Sequence, residues 1–204
     1  MTQQQKKKPG RPKSSGSIGT MQQILHTASR LFMELGFEKV SLDMVAQACS
    51  VTKASVYYYF NNKSVLFTES LLFVLQMAYN QTERLIRQEL PLRERLIAVA
   101  EGHMRNNHVD FETMMREASA GLSQEQIDKV RGGERALHEL LATLFEEAMA
   151  TGSIIHCDPL LLSHTFTAAL TVRNRELVME QRQSTGETAE KLVDLFWFGL
   201  LPRP

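Results

Sequence analysis

The residue types with the most chemistry to offer lie between Ser41 and Lys63. Thr52, Lys53, Ala54 and Ser55 open a short helix that continues through Tyr57 and Tyr58. Hydroxyls, an ammonium, a methyl and two phenols on one short helix suit base edges, thymine methyls and phosphates. The rest of the chain offers weaker constellations. His103 and His108 stand at i and i+5, poorly aligned on one helix face for a shared metal. His156-Cys157-Asp158 lies beside a helix break but has no further ligand at a telling spacing. Cys49 and Cys157 form no CxxC pair, which argues against a zinc ribbon or a disulfide framework. No nucleophile elbow or phosphate loop occurs. An enzyme, a metal site and a cofactor are therefore not expected.

A short helix needs neighbours to hold it against DNA. Ile24, Leu25, Ala28, Leu31, Phe32 and Leu35 recur at helical spacing and predict a first helix of about 18 residues. Gly36 follows as a C′ residue. Ser41 stands where an N-cap is wanted, with Asp43 in the first turn and Leu42, Val45, Ala46 and Cys49 on the inner face. Ser50-Val51 makes a tight turn, Val51 packing inward, and Thr52 caps the next short helix. Phe60 closes it. Asn61 or Asn62 caps a longer helix from Lys63 that can run to Leu90, just before Pro91. Two short helices joined by a tight turn behind a longer one form a helix-turn-helix, whose second helix fits the major groove.

From Ile24 the residues read IL-x-x-A-x-x-LF-x-x-x-GF-x-x-x-S-x-x-x-VA-x-x-x-x-V-x-x-x-x-VYYYF-x-NK-x-x-L. This stretch resembles the DNA-binding domain of the tetracycline-repressor (TetR) family. The resemblance implies that Ser41 caps the second helix and touches a phosphate, and that Thr52 offers its hydroxyl and backbone N–H to another. It places Lys53, Ala54 and Ser55 toward bases, Tyr57 and Tyr58 on backbone or base edges, and Lys63 on a phosphate. Tyr59 stands where the family often has His. Ser50 stands where Gly is usual, at a strain on the order of 1 kcal/mol if the turn is left-handed.

Charge divides the chain in the same way. Residues 1–64 hold nine Lys/Arg against three Asp/Glu, and residues 65–204 hold fourteen against twenty. A basic front on an acidic body suits a two-part protein with one polyanion-binding end. Three segments follow: a disordered basic arm over 1–17, a helix-turn-helix domain over 18–64, and a helical regulatory and dimerisation domain over 65–204. In the arm, Gly10-Arg11-Pro12 resembles the centre of an AT-hook, which would lay Arg11 in a minor groove. Pro9 stands where that motif usually has Arg.

Beyond Pro91 the pattern stays helical, near 92–107, 109–120, 124–151, 158–183 and 187–199, with Gly132-Gly133 expected to bend or split its helix. The fold class is all-α. The apolar residues of the last two helices need a partner, so a homodimer through 158–183 and 187–199 is expected. His103, Met104, His108, Phe111, Met115, Phe145, Met149, Phe166 and Arg173 are candidates to line a site for a small apolar or amphipathic effector. Plain core packing is the competing reading for each of them. No apolar run is long enough for a membrane span, and no secretory signal is seen, which points to the cytoplasm. The expected function is a dimeric repressor released from a near-palindromic operator by its ligand. The alternatives are a DNA-binding regulator without such an effector, or an activator.

Overall fold

The computed structural model describes residues 15–105, 111–174 and 184–201. Nine α-helices lie among these residues, and no strand does. They are α1 (Ser15–Leu35), α2 (Leu42–Ala48), α3 (Lys53–Tyr59), α4 (Lys63–Ile86), α5 (Leu92–Arg105), α6 (Phe111–Ala118), α7 (Gln124–Ala150), α8 (Pro159–Leu170) and α9 (Thr185–Leu200). A 3-10 turn, Ser119–Gly121, follows α6, and another, Thr171–Asn174, follows α8.

The helix starts are set by side chains that take up free backbone N–H groups. Ser41 accepts from Met44 N, Thr52 from Ser55 N and Asn62 from Val65 N. Asn62 is thus the cap of α4, with Asn61 outside it. Ser123 and Ser184 each form a reciprocal capping box, with Gln126 and Glu187. Asp158 accepts from Leu160 and Leu161 N ahead of Pro159.

Three expected boundaries are corrected. α7 runs unbroken through Gly132-Gly133. A Cβ at Gly133 would meet Leu75 Cδ1 at 3.2 Å, so the missing side chain lets α4 approach α7 instead of bending it. Buried Val130 and Leu137 anchor the helix on either side of the pair. α4 stops at Ile86, short of Leu90, where Arg95 Nη1 takes the Ile86 carbonyl at 2.8 Å. α8 ends at Leu170, where the Thr171 hydroxyl donates to Ala168 O at 2.7 Å and a 3-10 turn begins. The remainder of the expected 158–183 helix, residues 175–183, lies outside the described residues.

The buried side chains fall into two cores. The first joins Ile24, Ala28 and Phe32 of α1 with Val45 of α2, Val56 of α3 and Leu66, Phe67 and Leu71 of α4. It also takes in Met114, Met115 and Ala118 of α6 and Val130 of α7. The second joins α5, the C-terminal half of α7, α8 and α9 around Leu96, Leu141, Phe145, Phe166 and Val193. Arg93 of α5 ties that core to α9 from outside, its guanidinium 2.6 Å from Asp194 and 3.4 Å from Glu190. α4 and α7 each contribute to the first core and run on into the second, α4 through Ile86.

Candidate nucleic-acid interface

α3 is held by its ends and its back. Val56 is fully buried and Phe60, just past the last turn, is 3% exposed. Cys49 packs into the same core, and Gln23 Nε2 of α1 donates to its carbonyl at 3.1 Å. The turn between α2 and α3 closes through Val51 N to Ala46 O at 3.0 Å. Ser50 there adopts φ 55, the left-handed conformation that the usual glycine would take without strain. Val51 packs partly against the core, as its place after the turn predicts.

With Val56 turned inward, the opposite side of α3 faces solvent. Thr52, Lys53 and Ala54 are exposed, Ser55 is half-buried, and Tyr57 and Tyr58 are 51% and 80% exposed. The two phenol rings thus stand in water on the last turn of α3. Tyr58 rests edge-on against Tyr59, ring centroids 5.1 Å apart. Ser41 also lies in the open. The Ser41 and Thr52 oxygens accept backbone N–H groups and keep their own hydroxyl protons as donors, although Thr52 shares a 2.8 Å contact with Ser55 Oγ.

The two lysines of the segment are both engaged. Lys63 donates to Glu38 O at 2.9 Å and lies 4.5 Å over the Phe37 ring, pinning the α1–α2 loop to the start of α4. Lys53 is hydrogen-bonded and ion-paired to Asp43 of α2. That hydrogen bond, reinforced by the Asp43 charge, raises the Lys53 pKa. The sequence marked Asp43 only as a first-turn acid; nothing in its spacing pointed to Lys53, because the pairing depends on how α2 and α3 cross.

The expected effector residues do not form one group. Met104, Phe145, Met149 and Phe166 share the second core, each 6% exposed or less. Met115 and the half-buried Phe111 belong to the first core instead. His103 borders a small cleft between α4 and α5 that is open to solvent and lined also by Gln81, Thr82, Leu85, Val99 and Gly102. Arg11, His108 and the side chain of Arg173 lie outside the described residues. No group of three or more His, Cys, Asp or Glu able to hold a metal occurs among the described residues.

A helix-turn-helix with its second helix capped, locked from behind and open in front defines a DNA-binding transcriptional regulator. The model for bacterial regulatory proteins of the tetR family matches residues 24–69. An HTH-type transcriptional regulator of Bacillus subtilis (strain 168), YhgD, itself uncharacterized, is 27% identical over 149 residues, 70% of this chain and 76% of that one. The probable acrEF/envCD operon repressor of Escherichia coli (strain K12) is 36% identical over 56 residues, 28% of this chain and 26% of that one. A crystallised TetR/AcrR-family transcriptional regulator from Thermobifida fusca YX-ER1 superposes with TM-score 0.62 at 27% identity, over 89% of this chain and 98% of that one. AibR, crystallised with isovaleryl coenzyme A and operator DNA, shares the fold with TM-score 0.68 at 22% identity, over 86% and 97%. Residues 24–69 are thus similar to the bacterial regulatory proteins of the tetR family, and the likeness of fold to a TetR/AcrR-family regulator extends through the body.

Proposed function

We propose that this regulator is a homodimeric repressor, seated on a near-palindromic operator and released by a small apolar or amphipathic ligand. The observation that carries the DNA-reading part is the solvent-facing side of α3, with the cap Thr52 and Lys53, Ala54 and Tyr58 in the open while Val56 and Phe60 fix the helix from behind. Ser41, Thr52, Tyr57 and Tyr58 then address phosphates and sugars, and Lys53, Ala54 and Ser55 address base edges. Lys63 would have to leave Glu38 or share its remaining donors to reach a phosphate. Arg11 in the basic arm would add a minor-groove contact.

Dimerisation is supported by the apolar surface of the last two helices. Leu161 on α8 is 65% exposed, and Leu195 and Phe198 on α9 are 81% and 77% exposed. Leu161, Thr165, Ala168 and Val172 are all exposed along one face of α8 and the turn beyond it. A two-fold axis through this face would bury both copies in a four-helix bundle. Two recognition helices then meet successive major grooves. Repression is the action in the name of the Escherichia coli relative, and a dimer covering a promoter excludes polymerase by bulk.

Release by a ligand draws on the flexible Met104 and Met149 and the aromatic Phe145 and Phe166, which could part around an apolar guest. Ligand and DNA would then oppose each other by linkage. A second reading, regulation without a small-molecule effector, is favoured by the tight burial of those same four side chains.

The test is a titration of purified protein against duplex from upstream of its own gene, at several salt concentrations, with an unrelated duplex as control. Selective binding by two subunits, weakening linearly in log salt, is expected. Folded protein that binds no DNA at low salt overturns the proposal. A complex that binds selectively and resists every acyl-coenzyme A and apolar ligand tried favours the second reading.

A further inference from the structure

A carboxylate is out of place on a surface built to meet phosphates, and Asp43 sits on that surface. It is the second residue of α2, two positions past the Ser41 cap, and its partner Lys53 is the first residue of α3. The pair therefore spans the turn and links the two helices of the motif at their N-terminal ends. Its purpose is not to hold them together. The Lys53 and Asp43 side chains are 69% and 47% exposed, and ion pairs so open to water add little stability. Val45, Ala46 and Val56 already lock α2 to α3 through the first core.

What the pair does fix is the position of the Lys53 ammonium and the charge it shows to DNA. A free lysine at the head of a recognition helix sweeps a wide arc and finds a phosphate on any sequence. Each such contact adds affinity without information and steepens the salt dependence by about 0.9 in log–log slope. An ammonium has three donors. With one given to Asp43, the others remain for acceptors in one direction, and the O6 and N7 of a guanine are of the right kind. The Asp43 carboxylate meanwhile repels any phosphate that would compete for the same ammonium.

We propose that Asp43 is a specificity-determining positioning residue, holding the Lys53 ammonium for a base edge and withholding it from the phosphates of arbitrary sequence. The inference rests on the DNA-reading role of α3 proposed above. It makes Asp43 a residue whose loss strengthens binding to the wrong DNA.

The experiment compares wild-type full-length protein with Asp43→Asn, Asp43→Glu, Lys53→Met and the double variant Asp43→Asn/Lys53→Met. Each is titrated from low to moderate salt against an arbitrary duplex and a duplex that the wild type selects from a random pool. Asp43→Asn is expected to bind the arbitrary duplex several-fold tighter at low salt, with a slope steeper by about one phosphate contact. Its preference for the selected duplex should fall by a similar factor. Asp43→Glu, which keeps the charge, should keep the wild-type slope and preference. In the Lys53→Met background Asp43→Asn should change neither. An Asp43→Asn slope and preference equal to wild type overturn the proposal, as does an Asp43→Asn effect of full size in the Lys53→Met background, which would make Asp43 a bare repulsive charge. Wild-type protein that binds no duplex overturns the DNA-reading proposal and this one with it.

Discussion

Single residues carry two measurable consequences. Ser50 takes φ 55, where a Cβ is strained and glycine is not. Ser50→Gly relieves that strain but frees the unfolded chain, so the net gain is expected at about 0.5 kcal/mol, a rise of roughly 1–2 °C in thermal midpoint. His138 on α7 is the second case. It is buried, its Nδ1 lies 3.2 Å from Ser163 Oγ, and its ring lies 3.7 Å, centroid to centroid, from that of His164 on α8. Burial, then the like charge of His164, lowers its pKa from 6.5 to about 4. Between those values the unfolded chain binds a proton there and the folded chain does not. Stability is therefore full above pH 6.5 and is lost as pH falls toward 4. Melting curves across this window should show a shallower decline for His138→Gln, which keeps a polar partner for Ser163 without a titrating ring. An equal decline in both proteins would remove His138 as the cause.

At the level of elements, the junction between α6 and the DNA-binding helices is the contact most sensitive to one atom. A Cβ on Gly121, in the 3-10 turn after α6, would meet Phe37 Cε1 at 2.6 Å. The Phe37 ring cannot retreat: it stacks on Phe32 at 6.1 Å, lies edge-on to Phe67 at 5.0 Å, and has Lys63 over its face. Gly121→Ala is expected to destabilise the protein by about 1–3 kcal/mol in urea titrations, as overpacking of a filled core does. Because Phe37 lies in the α1–α2 loop, the same variant should weaken DNA binding more than Gly132→Ala, whose added methyl meets nothing within 4 Å. The helices themselves were legible in the sequence, because their caps and apolar spacing are local. The Gly121–Phe37 contact was not, since it joins residues far apart in the chain that carry no shared pattern. The unbroken α7 was missed for the same reason, as a glycine's local cost was outweighed by the approach of α4.

For the whole molecule, the exposed apolar face on α8 and α9 is the feature a monomer explains least. Leu195→Glu with Phe198→Glu places two charges on side chains already in water in the single chain, so each subunit should remain folded. The double variant is expected to sediment at the 23.2 kDa of one chain and to lose most operator affinity, because one half-site supplies only half the contacts. A dimer that survives both charges would move the interface elsewhere. No described helix is long and apolar enough to cross a membrane.

The sequence by itself determined the all-α fold and the helix-turn-helix, because caps, turn residues and helical periodicity act within a few positions of one another. It also determined that Val51 packs inward, since its place just after the turn puts it between the two short helices. Only the tertiary structure decided that Lys53 is held by Asp43, that Lys63 lies over Phe37, and that the expected effector residues divide between two cores. Those outcomes depend on how helices cross, and crossing is set by the fit of side chains from distant segments, which no local pattern encodes.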